Sequence, residues 1–389
     1  MTDGLAWAVS GPVDPVRLPS KSAIFQARDR LGAEPLKRLF ARVARPLATE
    51  VTPGSWLAGR RLVAIDGTTL VVADTVVNDE FFGRPGVSKG ERSAFPQAQL
   101  VALAECGTHA TFDAEIGPCT TSELGLAKLL VDQLEPGMVL LADRGFTGFA
   151  LWQQAAATGA DLLWRAKNNV TPRQTRVFAD GSWLGELRAK NRELHTAHVV
   201  VRVIDYTVDD GRDVETGPFR LFTTMLDPAE VSATELSAAY AQRWEIETVF
   251  DELKTHQRGS KVVLRSKSPA LVLQEIWGHL CCHYAIRTLM LAAAIQANVD
   301  PDRVSFVAAL PVTRRSLAQA RGFSLLGSDR GQAHALVLIY HRLNPKHRLR
   351  SGPRLIKRTM PKWHVKRARH TNWPQPTKAT HPETSITAN

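Results

Sequence analysis

Residues 240–256 read YAQRWEIETVFDELKTH, a stretch in which four acids stand among basic, aromatic and aliphatic side chains. On an α-helix, which turns about 100° per residue, four of its residues fall within an arc of about 60°. These four are Tyr240, Arg243, Glu247 and Lys254. Asp251 points close to the same face, whereas Glu245 and Glu252 point away from it. The helix geometry therefore leaves two acids, Glu247 and Asp251, on this face.

A helix face that combines an acid, two bases and a phenol suits a site for a metal ion and a phosphate. The carboxylate binds the cation, and the bases bind anionic oxygens. The alternative is a surface helix stabilised by pairs such as Arg243 with Glu247. The helix alone leaves both interpretations open.

Two aspartates elsewhere stand at the ends of apolar runs. Asp66 follows RLVAI and Asp143 follows MVLLA, and each begins a glycine-containing turn, DGT or DRG. The ends of strands are where open α/β sheets expose functional side chains. An aspartate beside a glycine also caps ordinary turns. Either residue taken alone is thus a candidate for catalysis or for a turn.

The surrounding patterns predict a mixed α/β protein in which a β-rich block interrupts a core of strands and helices. The first part of this core alternates strand-like and helix-like segments, and helices follow the β-rich block. The predicted regions are a partial helical region (1–60), the first part of the core (61–168), a β insertion (169–230), the second part of the core with following helices (231–325) and a basic tail (326–389).

Four ordered blocks resemble the insertion sequence 4 family of DDE transposases. The spacing Tyr240-x2-Arg243-x3-Glu247-x6-Lys254 is similar to the family's Tyr-Arg-Glu-Lys signature. AIDGTTL resembles its first aspartate block, LADRGF its second, and LRSKSPALVLQEIWG the segment after the signature helix. The resemblance covers about residues 20–320 and implies an RNase H-like core with a β insertion before the glutamate.

The resemblance also implies roles for single residues. Asp66, Asp143 and Glu247 would form the DDE triad and hold two Mg²⁺ ions, for which Mn²⁺ can substitute. The signature residues Tyr240, Arg243 and Lys254 would contact the phosphate backbone at the transposon end. Such a site would nick the element's end by hydrolysis and join the released 3′-hydroxyl to target DNA.

Three further positions carry weaker expectations. Arg165 and Lys167 follow a core strand, where they would either touch DNA or be solvated. Trp183, in the insertion, would either stack on a displaced base or pack within the hairpin. Asp74 shares the strand phase of Asp66 and is a lesser acid candidate.

The charge distribution points to DNA as partner. The chain has a formal net charge of +11, and residues 341–370 contain eleven Lys or Arg and no acid. This segment suits a flexible arm on a polyanion, although a solvated tail is the alternative. From the family we expect terminal inverted repeats and target DNA as ligands, and a homodimer on paired ends.

The sequence also favours a location away from membranes. Nothing at its start resembles a signal peptide, and the apolar residues 268–297 include Glu275, His279, His283 and Arg287. Such a stretch predicts a buried helix rather than a membrane span. The four cysteines lack a paired zinc spacing and are expected to be free thiols. We therefore expect a bacterial cytoplasmic protein that joins the nucleoid when it binds DNA.

Two alternatives to an active transposase are a DNA-binding remnant without catalysis and a general RNase H-like nuclease. Only about 60 residues precede the first aspartate block, whereas the family has a longer helical region that recognises the repeats. This shortness favours the remnant, while the presence of all three acids argues against it. The Tyr-Arg-Glu-Lys helix argues against the general nuclease.

Overall fold

A computed structural model describes residues 19–86, 93–167, 169–188, 198–209, 216–259, 263–319, 329–344 and 385–388. In chain order the α-helices are α1 (Lys21–Leu31), α2 (Glu34–Val43), α3 (Val76–Phe82), α4 (Glu123–Leu130), α5 (Phe149–Ala157), α6 (Ala233–Ala241), α7 (Glu245–Asp251), α8 (Pro269–Ala297), α9 (Phe306–Gln319) and α10 (Asp329–Tyr340). The strands are β1 (Trp56–Leu57), β2 (Arg60–Val71), β3 (Gln97–Glu105), β4 (Thr111–Pro118), β5 (Met138–Ala142), β6 (Asp161–Arg165), β7 (Arg173–Val177), β8 (Trp183–Arg188), β9 (His198–Asp209), β10 (Thr216–Thr223) and β11 (Ser385–Ala388).

One mixed sheet organises these elements, with the strand order β4-β3-β2-β5-β6-β10-β9-β8-β7. Strand β2 is antiparallel to β3 and parallel to β5, which is parallel to β6. All five residues of β5 are buried, as expected for an apolar strand covered on both faces. The predicted mixed α/β architecture, consistent with an RNase H-like core, is confirmed.

Alternation along β2 assigns its side chains to two hydrophobic cores. Leu62 and Ala64 pack in one core with α6, α7 and α8, whereas Val63 and Ile65 pack in the other with α4 and α5. Because successive side chains of a strand point to opposite faces, Asp66 follows Leu62 and Ala64 onto the side of α7. The strand thereby directs its aspartate toward the helix that carries Glu247.

The β-rich block is inserted between β6 and α6 in chain order, and its strands continue the core sheet. Strand β10 pairs antiparallel with β6, and β9 pairs with β10. Val201, Val203 and Phe222 share the hydrophobic core of α4 and α5. The block is an insertion in sequence order, but its strands extend the same sheet and bury the same core.

Residues 240–256 do not form one continuous α-helix, so the helix assumed from the sequence is wrong in detail. Helix α6 begins at a capping box between Ser232 and Glu235, and a 3₁₀ turn at Gln242–Trp244 joins it to α7. A π-helical turn, Glu252–Gln257, then follows α7.

The long apolar helix α8 lies inside the helical layer. Among the described residues it is the one helix long and apolar enough to cross a membrane, and half of that apolar window is buried. Its buried His283 and Arg287 form hydrogen bonds with Glu252. These contacts agree with the interior helix predicted for this stretch.

The two ends of the chain are partly described. Helices α1 and α2 occupy the expected helical N-terminal region and contact α8. Most of the basic stretch lies outside the described residues. The region expected to be a basic tail contains α10, and β11 pairs antiparallel with β9. The tail prediction is therefore corrected for these two elements, while the division into five regions stays a prediction.

Candidate active site

Asp66 and Asp143 lie at neighbouring positions of the sheet. Ile65 of β2 is in register with Ala142 of β5, and each aspartate is the next residue along the chain. The prediction that Asp66 ends its strand is wrong, because β2 continues to Val71 and Asp66 pairs with Ala102 of β3, whereas Asp143 directly follows β5. The Asp66 carboxylate accepts a hydrogen bond from the backbone N–H of Gly67 at 2.8 Å. The Asp143 carboxylate accepts one from Gly145 at 2.5 Å. Backbone groups thus fix one oxygen of each carboxylate.

Gly145, two residues after Asp143, packs close to the side chain of this aspartate. A Cβ atom at position 145 would lie 2.8 Å from Oδ1 of Asp143. A side chain there would displace the carboxylate from the N–H that holds it. The DRG turn is therefore built around the aspartate.

Arg243 connects the strand aspartate to the helix glutamate. Its Nη1 lies 3.6 Å from Oδ2 of Asp66, and its Nη2 lies 3.3 Å from Oε1 of Glu247. The Arg243 side chain is 7% exposed, whereas Asp66 is 21% and Glu247 39% exposed, so a buried guanidinium holds carboxylates that reach solvent. The structure thereby brings together the three acids that the sequence singled out, with one buried cation among them.

Burial and neighbouring negative charges disfavour the ionised form of Asp66. Burial raises the pKa of Asp66 to about 6, and the negative charges of Asp143 and Glu247 act in the same direction. The Gly67 N–H and the Arg243 guanidinium oppose this rise in pKa. Three carboxylates around one guanidinium leave an excess of negative charge that a divalent cation would neutralise. An all-oxygen donor set of this kind fits Mg²⁺ or Mn²⁺.

An open cleft of about 510 Å³ lies beside the carboxylates. It is lined by Asp66, Gly67, Thr68, Glu247, Phe250, Asp251, Lys254 and Thr255. Lys254 donates a hydrogen bond from Nζ to Oγ1 of Thr68 at 2.9 Å. The rival acid Asp251 is 59% exposed and pairs with His256 at 3.2 Å, so it lines the rim rather than the Arg243 cluster.

Tyr240 is placed differently from the predicted phosphate contact. Its side chain is buried, and its hydroxyl donates to the backbone carbonyl of Ala142 at 3.3 Å. Ala142 is the last residue of β5 and directly precedes Asp143. The phenol therefore lies beneath the site, against the strand end, and not on the face of the cleft.

The weaker candidates differ in their surroundings. Arg165 is half-buried, with its guanidinium 4.4 Å from the ring centre of Phe219, and its charge acts on the pKa of Tyr240. Lys167 is half-buried just after β6. Trp183 donates to Asp205 at 3.4 Å and packs against the core, which favours the packing role. Asp74 pairs with Arg84 at 2.5 Å.

Sequence reasoning missed a second buried group of charges. Ligand atoms of His109, Glu245 and Asp302 lie within 4.8 Å of one another. Nη2 of Arg287 lies 2.7 Å from Nδ1 of His109, and Nε2 of His109 lies 3.3 Å from Glu245 and 2.8 Å from Asp302. Burial and Arg287 lower the pKa of His109, but the two carboxylates outweigh them and raise it to about 9. We interpret the group as an ion-pair cluster, whose members from separate segments share no local motif.

Comparisons with known proteins agree with this geometry. A family model described as transposase DDE domain matches residues 57–285, and one described as insertion element 4 transposase N-terminal matches residues 1–41. The transposase InsG for insertion sequence element IS4 of Escherichia coli (strain K12) is 29% identical over 349 residues, covering 86% of this chain and 76% of that protein. The putative transposase InsZ of the same organism is 31% identical over 149 residues, covering 38% of this chain and 50% of that protein.

Proposed function

The chain belongs to the transposase DDE domain family, in its insertion sequence 4 group, and we propose that Asp66, Asp143 and Glu247 are the triad with which it cleaves and joins DNA. The family and the relatives identify it as a DNA transposase of an insertion sequence. The observation that carries the proposed triad is the contact of Arg243 with both Asp66 and Glu247, together with the position of Asp143 directly after β5, the strand paired with β2, where its charge acts on Asp66.

The family implies the use of a divalent metal, and the three carboxylates fit one. We propose that Asp66, Asp143 and Glu247 hold two Mg²⁺ ions, with Mn²⁺ able to substitute. When bound, the ions activate the attacking oxygen and stabilise the leaving oxygen at phosphorus. Burial and the charges of Asp143 and Glu247 raise the pKa of Asp66 to about 6, and a bound cation would favour its ionised form, which supports this assignment.

The residues around the triad bind and orient DNA in this proposal. Arg243 holds Asp66 and Glu247 in place and adds positive charge where phosphoryl oxygens become more negative. Lys254, on the wall of the same cleft, binds a phosphate of the transposon end. Arg165 and Lys167 contact the DNA backbone at the end of β6.

Tyr240 has a structural role in the same proposal. Its hydroxyl supports the carbonyl of Ala142 and so steadies the start of the DRG turn. This role replaces the phosphate contact expected from the signature.

The family implies binding to transposon ends. We propose that the terminal inverted repeats and target DNA are both substrates, and that two copies of the chain bridge paired ends. The cytoplasm, with association to the nucleoid and none to membranes, is the location that suits this function.

A cleavage assay tests the proposal. The protein is incubated with Mg²⁺ and DNA that carries the element's terminal repeats, and the wild type is compared with Glu247→Gln. We expect nicking at the element's ends followed by joining to target DNA, and binding without nicking for Glu247→Gln. Asp251→Asn, which removes the rival acid of the same cleft, is the matched control and should keep cleaving.

Two other results would each select an alternative. Binding without nicking by the wild type indicates a DNA-binding remnant. Nicking without joining indicates a general nuclease.

A further inference from the structure

The π-helical turn Glu252–Gln257 carries Lys254, the proposed phosphate ligand. A π turn closes hydrogen bonds from residue i to i+5, whereas an α turn closes them to i+4. Lys254 is therefore rotated about the helix axis from the position that a continued α-helix would give it. Such turns are rare and occur frequently at functional sites.

Glu252, at the start of this turn, is anchored to α8 by buried charges. Its carboxylate accepts hydrogen bonds from Nε of Arg287 at 3.0 Å, from Nη2 of the same guanidinium, and from Nε2 of His283 at 2.9 Å. The three side chains are between 0% and 6% exposed. Burial would raise the pKa of Glu252, but Arg287 and His283 outweigh it and lower the pKa to about 2.

The far end of the turn is held as well. Gln257 donates from Nε2 to the carbonyl of His279 on α8 at 2.9 Å. The backbone carbonyl of Gln257 accepts a hydrogen bond from Nη2 of Arg314 on α9 at 3.1 Å. The π turn is thus fixed at both ends by side chains of neighbouring helices.

Between these anchors Lys254 extends to the opposite wall of the cleft. Its Nζ reaches Thr68, two residues beyond Asp66 on β2. Partial burial and the charge of Arg258 lower the pKa of Lys254. The contacts that fix the two ends of the π turn therefore also set the direction in which Lys254 points.

A buried ion pair of this kind adds little net stability compared with apolar packing, and fixing a geometry is its best attested use. We propose that Glu252 is a positioning residue, which by pairing with Arg287 and His283 keeps the turn π-helical and keeps Lys254 aimed at the transposon-end phosphate beside Asp66. This inference rests on the proposed phosphate contact of Lys254.

The test is a double-mutant cycle on end-DNA binding with the full chain. The variants are Glu252→Gln, Lys254→Ala and the combination of both, and affinity is measured over a range of salt concentrations. Loss of one phosphate contact should reduce the slope of log affinity against log salt by about 1. We expect this loss in both single variants, and no additional loss in the combination.

The salt slope separates positioning from a merely structural role. Glu252→Gln removes a negative charge, which through electrostatics alone would strengthen binding to DNA. Glu105→Gln is the matched control, because Glu105 is another buried glutamate paired with an arginine, Arg61. It should lower thermal stability and leave the salt slope unchanged.

The outcomes test the phosphate contact of Lys254 and the positioning role of Glu252 separately. If Lys254→Ala does not change the slope, the phosphate contact of the proposed function is wrong. If Lys254→Ala lowers the slope and Glu252→Gln does not, the positioning role is overturned. Should Glu252→Gln not fold, Glu252→Gln with Arg287→Met removes the unpaired buried charge. A retained slope in that variant overturns the inference, and a lowered slope supports it.

Discussion

Arg243 lies 3.6 Å from Asp66, measured from Nη1 to Oδ2, and the same guanidinium reaches Glu247. We predict that Arg243→Met lowers single-turnover cleavage by about 100-fold, because positioned cationic donors at developing charge are worth this much in catalysis. Arg243→Lys should recover part of the loss, since it keeps the charge without the forked geometry. Full activity of Arg243→Met would show that the contact has no part in the reaction.

Asp66→Asn is predicted to stabilise the metal-free protein at pH 8. The folded-state pKa of Asp66 is raised from 3.8 to about 6, so folding disfavours its ionised form. The destabilisation is fully present above pH 6 and shrinks as the pH falls through the folded-state pKa toward 3.8, below which the carboxyl is protonated in both states. The variant should gain on the order of 2 kcal/mol in the free energy of unfolding at pH 8. Denaturant melts in EDTA at pH 8 and pH 4 measure this, and equal stability of both proteins at pH 8 would refute it.

Tyr240→Phe tests whether Tyr240 supports the backbone at the end of β5, as its hydrogen bond indicates, or binds a phosphate, as the signature implies. Removing the hydrogen bond to Ala142 should lower the free energy of unfolding by about 1 kcal/mol and leave the salt slope of DNA binding unchanged. Thermal melts and salt-dependent binding give both quantities. A slope reduced by about 1 would instead mean that the phenol binds a phosphate.

Gly145→Ala is predicted to reduce cleavage at least tenfold, because the added Cβ would lie 2.8 Å from the Asp143 carboxylate. The matched control is Gly148→Ala, where the added Cβ would lie 4.0 Å from the backbone oxygen of Phe146. Both variants should bind end DNA as the wild type does. Unchanged cleavage by Gly145→Ala would mean that the placement of Asp143 tolerates displacement.

The sequence was informative about the site wherever local patterns decide it. Apolar runs that end at Asp66 and Asp143 predicted two strand-borne aspartates; Asp66 lies within β2, and Asp143 directly follows the neighbouring strand β5. The helix arc grouped Glu247 with Lys254, which line one cleft, and with Arg243, which contacts Glu247, while their roles toward DNA stay predictions. It misplaced Tyr240, since a 3₁₀ turn separates this residue from α7.

Long-range contacts explain what the sequence did not reveal. The π turn depends on the pairing of Glu252 with Arg287, 35 residues further along the chain. The continuation of the sheet depends on pairing between β6 and β10, in which Arg165 is in register with Leu221. Helical and strand periodicities describe single segments, so neither contact leaves a local signal.

The metal site proposed at Asp66, Asp143 and Glu247 predicts a change of metal preference when one ligand is replaced. End cleavage by Asp143→Cys is measured in Mg²⁺ and in Mn²⁺, with Asp251→Cys as control. A thiolate is a poor ligand for Mg²⁺, and Mn²⁺ accepts it more readily. We predict that Asp143→Cys is inactive in Mg²⁺ and regains cleavage in Mn²⁺, while Asp251→Cys works in both. Equal activity of Asp143→Cys in the two metals, or a changed preference in Asp251→Cys alone, would contradict the assignment.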